Sequence, residues 1–440
     1  MQIAKLSYSR IYFIGIGGIG ISALAQYFLN QKIKVSGSDL VSSEITDFLK
    51  KKGAKIHIGH TRKNITRDLN LVIYSPAVKN DNPEIIEAKK LGIQTLSYPR
   101  ALGQLTKKYF TIAVCGAHGK STTTAMIAKI LIEAGFNPTV IIGTKLKEFG
   151  DTNFRTGANS KILLIEADEF KASFLNYWPK IIVLTNIEAE HLDYYKNLVN
   201  VLKTFKLFIS HLGKTGTLIF NKDNKNASRL AKGKKAVFFS KKQKEFDKIK
   251  IILPVPGDHN VLNALAALSC ARLLGIPDKV SLAAISKYKG AWRRMETSFA
   301  NIENKRVTII SDYGHHPTEI DVTVRAIQEK YKNKKIWLIY QPHQYQRTHY
   351  LFNDFVKVLG NLNLEKIILA PIYEVAGRET SALISKVSSE KLAQVIYKKN
   401  KNVIALPDFK TIKKYILKNF DADILIFMGA GDIYLLANKF

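Results

Sequence analysis

The chain has 440 residues, 46% of them hydrophobic and 10% aromatic, which excludes global disorder and suggests about three domains at roughly 150 residues each. Two cysteines, Cys115 and Cys270, exclude a disulfide framework and a cysteine-rich zinc site, and fit a reducing cytoplasmic setting. The 67 basic and 36 acidic residues give a net charge of +31, but with 54 Lys against 13 Arg. Lysine lacks the planar fork of arginine, so this excess reads as general surface charge that attracts anionic substrates, and no nucleic-acid partner is expected.

The uncharged run Ile11–Gln31 has the length of a membrane anchor. Its four glycines at 15, 17, 18 and 20, and the polar Gln26, Asn30 and Gln31, argue against one, and no transmembrane segment is expected. The same run reads better as strand, turn and helix. Arg10–Ile14 is β-rich, Gly15, Gly17, Gly18 and Gly20 make a G-x-G-x-x-G turn, and a second strand over Ile33–Val35 leads to Asp39. Glycines there let backbone N–H groups approach phosphate oxygens at a helix N-terminus. The motif therefore predicts a diphosphate-bearing nucleotide, and an NAD-dependent oxidoreductase is one reading of it. Strand Leu71–Tyr74, helix Pro83–Leu91 and a short segment at Tyr98-Pro99-Arg100 continue the βαβ alternation to a boundary near 106.

Tyr109–Cys115 is an apolar strand that runs into Gly116-Ala117-His118-Gly119-Lys120-Ser121-Thr122, followed by a helix to about Ala134. Strand, glycine loop and helix with Lys-Ser at its start form the phosphate cradle of nucleoside triphosphatases, here two residues shorter than the usual pattern. Backbone N–H groups would hold the phosphates, Lys120 would neutralise the β/γ oxygens, and Ser121 would offer its hydroxyl to Mg²⁺. An oxidoreductase leaves Lys120 without a task. Two further apolar strands, Lys161–Ile165 and Lys180–Leu184, end in Glu166-Ala167-Asp168-Glu169 and in Thr185-Asn186-Ile187-Glu188-Ala189-Glu190-His191. Ligands of open α/β sheets lie beyond the carboxyl ends of strands, so these groups should meet the metal and phosphates, His191 being a metal-ligand candidate.

Lys241–Lys250 reads as a solvated loop or edge. Asn260 and Asn263 lie three apart on the following Ala/Leu helix, and Arg293 and Arg294 suggest an anion contact or an exposed ion pair. The last third again alternates strand and helix, with strands expected at Arg306–Ser311, Lys335–Tyr340, Lys366–Ala370, Asn402–Leu406 and Asp423–Met428. Polar clusters follow several of them: Asp312-Tyr313-Gly314-His315-His316, Gln341-Pro342-His343 through Arg347, Tyr373-Glu374, and Gly429 to Asp432.

The glycine turn, the Lys120 loop, EADE, NIE-x-EH, PGDHN-x-x-NA, RR-x-E, DYGHHPTE and QPH-x-Y-x-RT occur in this order from about Ile11 to Asp432. Together they resemble the Mur ligases, the ATP-dependent amino-acid-adding ligases of peptidoglycan precursor synthesis. The resemblance implies an α/β fold of three domains: a Rossmann-like, UDP-sugar-binding 1–106; a central P-loop ATP-binding domain, 107–302; and a Rossmann-like C-terminal domain, 303–440, closing on ATP and amino acid. It implies that ATP phosphorylates the lactyl carboxylate of UDP-N-acetylmuramate and that the amine of L-alanine displaces the phosphate. A related ligase attaching a peptide or another amino acid is the alternative.

By the same resemblance Lys120 would stabilise the transferring phosphoryl group, Ser121 and Glu169 would hold one Mg²⁺, and His191 a second. Gly116, Ala117, His118, Gly119, Thr122 and Asn186 would line the ATP site, with Asn260 and Asn263 at the adenine. Arg293 or Arg294, with Asp312, Tyr313, His315, His343 and Arg347, would complete the ATP and amino-acid side. Gly15 to Gly20, Asp39 and His60 would face the UDP part. The chain departs from the family pattern at Ala117 and Ser121, at Phe170-Lys171 where Ser-Asp is usual, and at Gln344 and Ser311. The resemblance leaves the oligomeric state open.

Overall fold

The computed structural model describes residues 8–158, 160–302, 305–375 and 384–440. Among these the strands form three sheets in successive stretches of the chain. The first sheet takes β1 (Arg10–Ile14), β2 (Lys34–Asp39), β3 (Lys55–Ile58), β4 (Leu71–Tyr74) and β5 (Gln94–Ser97) in the order β3-β2-β1-β4-β5, all parallel. The second takes β6 (Phe110–Cys115), β7 (Thr139–Leu146), β8 (Thr152–Arg155), β9 (Ile162–Glu166), β10 (Ile181–Leu184), β11 (Thr217–Asn221) and β12 (Ala236–Phe239). Its order is β12-β11-β10-β6-β9-β7-β8, and only the β7–β8 pair is antiparallel. The third takes β13 (Glu296–Ile302), β14 (Lys305–Asp312), β15 (Ile336–Tyr340), β16 (Lys366–Leu369), β17 (Val403–Ala405) and β18 (Ile424–Met428), ordered β13-β14-β18-β15-β16-β17.

Central strands are buried on both faces, as parallel strands covered by helices must be. Every residue of β10, β15 and β18 is buried, which is why they read as unbroken apolar runs. Tertiary packing gathers the chain into two compact units. One holds the residues up to Ile249 with Leu262–Lys287, and the other holds Lys250–Val261 with Tyr288–Phe440.

Several expectations change. The run Ile11–Gln31 divides into β1, a turn and the helix Ile19–Asn30, and no helix among the described residues is long and apolar enough to cross a membrane. Lys241–Lys250, expected as loop or edge, enters a helix, Glu245–Ile252, because Phe246 and Ile249 lie three apart and are both buried. The segment at Tyr98 opens a helix, Tyr98–Thr106, with proline in its first turn where no N–H is missed. β13, absent from the sequence reading, pairs antiparallel with β14 as the edge of the third sheet; its alternating, mostly exposed residues carry no strong apolar signal.

Candidate active site

In both sheets of the first unit the ligand-type loops leave a central strand whose two sheet neighbours both follow it in the chain, one packed on each side. β1 lies between β2 and β4, and β6 lies between β10 and β9. Such reversal points open a crevice at the strands' carboxyl ends. The Lys120 loop after β6, the acidic run after β9 and the Asn186–His191 run after β10 are therefore neighbours, although up to 75 residues separate them in the chain.

Gly116 has φ of +132° and Gly119 +80°, values that L side chains rarely adopt. A Cβ on Gly116 would collide with the Thr185 hydroxyl and the Asn186 backbone, and one on Gly119 with the Asn263 amide. Asn186 clamps the loop from both sides: its Oδ1 accepts from His118 N at 2.9 Å and its Nδ2 donates to His118 O at 3.0 Å. Thr185 Oγ1 also donates to His118 O, at 2.6 Å. The helix Lys120–Glu133 then starts with Ser121 and three threonines buried, and Thr123 donates to Asn263 Oδ1 at 3.2 Å. Asn263 thus supports the glycine loop. Asn260 belongs to the second unit, where its Nδ2 donates to Pro256 O at 2.7 Å.

Lys120 Nζ donates to Gly116 O at 2.7 Å and to both Glu169 carboxylate oxygens at 3.0 and 3.1 Å. Burial by itself lowers its pKa, but Glu169 first, then Asp168 and Glu166, outweigh that and hold the ammonium well above the usual lysine range. Burial raises the Glu169 carboxyl, with Lys120 opposing. His191 Nε2 lies 3.8 Å from Glu169 Oε1 and 3.9 Å from Glu190 Oε2. His191 itself has φ of +54°, and its ring packs on Phe170 at 5.1 Å between centroids. Ligand atoms of Asp168, Glu169 and His191 lie within 4.8 Å of one another, a donor set of two carboxylates and an imidazole that suits a divalent cation.

The Ser121 hydroxyl is paired with Glu166, donating to both its oxygens at 3.0 Å, while Glu169 faces Lys120 and His191. Glu166, the last residue of β9, also accepts from Gly143 N at 2.8 Å. The sequence reading quoted it only as part of the acidic run. Glu188 was passed over in the same way, and its Oε2 lies 3.3 Å from His118 Nε2. Tyr98 reads from the sequence only as the start of a short segment, with no role at the site. Its ring lies under Gly20, and burial foremost, with Glu166 and Asp168, pushes its phenol well above the usual range.

At the first sheet, Gly15 to Gly20 form the turn after β1, and Gly15 has φ of +74°. Asp39, expected to face a nucleotide, accepts from Gly17 N at 2.8 Å and steadies the turn. His60 Nδ1 lies 3.0 Å from both Ser38 Oγ and Glu84 Oε2. Glu84 is fully buried yet saturated, accepting also from Ser38 (2.6 Å), Asn64 (2.6 Å) and Tyr12 (2.9 Å). Its sequence signal was hidden inside the helix Pro83–Lys90.

In the second unit, the polar clusters follow the adjacent strands β14, β18, β15 and β16. His343 stacks on Tyr373 at 5.4 Å and lies 5.8 Å from His315, which packs edge-on to Tyr313. Arg347 Nη1 lies 3.1 Å from His343 Nδ1. Asp312 accepts from Met295 N and Gly314 N, both at 2.8 Å, and burial raises its carboxyl. Arg293, expected at an anion, is buried to 4% exposure, and its guanidinium donates to the carbonyls of Gly429 and Gly431 between Tyr434 and Tyr313. Arg294 is more open and lies 3.9 Å from Glu319.

Family models match along the chain: Mur ligase family, catalytic domain, over residues 10–110; Mur ligase middle domain over 114–271; and Mur ligase, glutamate ligase domain, over 293–431. The chain belongs to the Mur ligase family. Two relatives are UDP-N-acetylmuramate–L-alanine ligases. The one from Acetivibrio thermocellus is 38% identical, covering 98% of this chain and 96% of the relative. The one from Aquifex aeolicus is 38% identical, covering 98% and 97%. The crystal structure of a UDP-N-acetylmuramate-alanine ligase from Thermotoga maritima superposes with a TM-score of 0.80 at 27% identity, covering 98% of each chain. The fold is that of a Mur ligase, α/β throughout.

Proposed function

We infer that this Mur ligase joins L-alanine to the lactyl carboxylate of UDP-N-acetylmuramate at the expense of ATP, in peptidoglycan precursor synthesis. The carrying observation is the meeting of Lys120, Ser121, three carboxylates and His191 at the carboxyl ends of β9, β6 and β10. Full-length relatives of that activity at 38% identity support the same reading.

A carboxylate is a poor electrophile, and phosphorylation supplies its leaving group. Phosphoryl transfer needs positioning and charge neutralisation more than covalent help from the protein. The loop N–H groups from Gly116 to Ser121 bind phosphate oxygens at the helix N-terminus, with Ala117, His118 and Thr122 shaping the cradle. Lys120, held charged, shifts from Glu169 to the transferring phosphoryl group. Mg²⁺ fits the donors present: Ser121 with Glu166, and Glu169 with Asp168 and His191, would hold it, and it would neutralise developing charge on the phosphates. Gly15 to Gly20 receive the sugar nucleotide's diphosphate, and His60, oriented by Glu84, faces its nucleoside. The edge formed by Tyr313, His315, His343 and Arg347 receives the amino acid, Arg347 matching its carboxylate. Segments 1–106, 107–302 and 303–440 divide these tasks in a cytoplasmic enzyme, a placement that two buried free cysteines support.

Phosphate release measured substrate by substrate tests this. Release requires ATP, Mg²⁺, UDP-N-acetylmuramate and L-alanine together, and a panel of other amines and peptides gives lower kcat/KM. Turnover indifferent to the sugar nucleotide would refute the assignment. Lys120→Ala abolishes release, whereas retained turnover would remove Lys120 from the mechanism.

A further inference from the structure

The second unit carries a surface that this chemistry does not use. Helices Phe409–Asn419 and Ile433–Ala437 bury Ile412, Ile416, Ile433 and Leu436 in one core cluster of that unit. On their outer side a cavity of about 250 Å³ opens, with Leu417 and Leu436 among its lining residues and Lys410, Lys413, Lys414 and Lys439 around it. Leu417 is 40% exposed, and Leu435, next in the chain to Leu436, is 43% exposed.

The acids of this segment are engaged elsewhere. Asp408 caps the helix by accepting from Thr411 N, Asp421 pairs with Lys335 at 2.6 Å, and Asp423 pairs with Lys305 at 3.2 Å. Asp432 accepts from Gln341. Lys413 donates to the Lys439 carbonyl at 2.9 Å. Among the described residues no carboxylate stands within ion-pair distance of the four cavity lysines.

We propose that this face docks the chain on an anionic phospholipid surface. Lysine stems can lie along apolar surface while their ammonium heads reach phosphate. Exposed leucines beside them suit the boundary between headgroups and acyl chains. The rim holds no arginine fork, so it offers no directional grip on an individual carboxylate and matches a diffuse sheet of negative charge. The net charge of +31 adds attraction at longer range. A second copy of the chain would present the same positive rim and be repelled.

Sedimentation of the full-length protein with vesicles tests this, using phosphatidylcholine alone against phosphatidylcholine with 30% phosphatidylglycerol. Binding is expected only to the anionic vesicles and should vanish in 0.5 M NaCl. Lys410→Gln with Lys414→Gln and Lys439→Gln should lower the partition coefficient about a hundredfold. Lys203→Gln with Lys206→Gln and Lys214→Gln, an equal charge loss elsewhere on the surface, should change it less than about threefold. Leu417→Gln, which leaves the charge alone, should lower it several-fold. Ligase turnover with soluble substrates and an unchanged melting temperature report that each variant is folded. Failure of the native protein to bind anionic vesicles overturns the proposal. So do equal losses in the two lysine triples, which would assign binding to the diffuse field, or displacement from vesicles by an equimolar acidic peptide, which would assign the face to a protein partner.

Discussion

Ser121 and Glu166 show how the site is set residue by residue. The Ser121 hydroxyl donates to both oxygens of Glu166, which is also held by Gly143 N. Losing the hydroxyl leaves the carboxylate aimed without its partner and removes an oxygen ligand from the phosphate cradle. Ser121→Ala should lower kcat at least tenfold at saturating ATP, while Ser121→Thr should restore most of it because the hydroxyl remains; steady-state phosphate release checks both. Equal rates in the two variants would show that the hydroxyl is dispensable. Lys120 and Ser121 were legible in the sequence because the phosphate-loop spacing names them. Glu166, Glu84 and Tyr98 were not, because each acts through a partner remote in the chain, and no local pattern distinguishes them from strand-end or helix polarity.

Between elements, the helix Ile19–Asn30 of the first sheet is tied to β8 of the second by a buried amide network. Gln26 Nε2 donates to Asn153 Oδ1 at 2.8 Å, Thr152 Oγ1 donates to Gln26 Oε1 at 2.7 Å, and Asn153 Nδ2 donates to Ser22 Oγ at 3.0 Å. Asn153→Ala would strand buried groups on Gln26 and Ser22, at a cost of about 1–3 kcal/mol. Urea unfolding should give that loss, and an unaltered midpoint would show that water replaces the network. Arg272 makes a second tie, reaching Glu245 and Asp278, each at 2.6 Å. Its hydrogen bonds hold both carboxyls below their usual range. Depressed carboxyls stabilise the fold above about pH 4, and that contribution is lost as acid takes the pH down through the depressed values. The native protein should therefore lose stability more steeply below pH 4 than Arg272→Gln does, with a gap near pH 7 of only about 1 kcal/mol because the groups are partly exposed. Denaturant midpoints at pH 7, 4 and 3 measure it, and parallel curves would refute it.

For the whole molecule, the excess of 31 positive charges makes the compact state repel itself. Raising NaCl from 20 to 200 mM shortens the Debye length from about 20 Å to below 10 Å and should raise the melting temperature in calorimetry. A fall over that interval would mean that local ion pairs outweigh the diffuse repulsion.

Eleven of the eighteen strands among the described residues, their alternation with helices, and the phosphate loops were set by local chemistry: apolar runs of strand length, glycines at the turns, and Lys-Ser at a helix start. These depend on neighbours within a few residues, so reading along the chain recovers them. Which strands lie side by side was decided only in three dimensions. The order β10-β6-β9 brings Glu166, Glu169 and His191 around Lys120, and β14-β18-β15-β16 lines up four polar clusters that are scattered from 312 to 432. Burial was decided there too: it turned Arg293 from an anion contact into a brace for Gly429 and Gly431, and made a helix of a lysine-rich stretch through Phe246 and Ile249. Hydrophobic packing selects those neighbours, and it acts between residues whose distance in the chain carries no record of it.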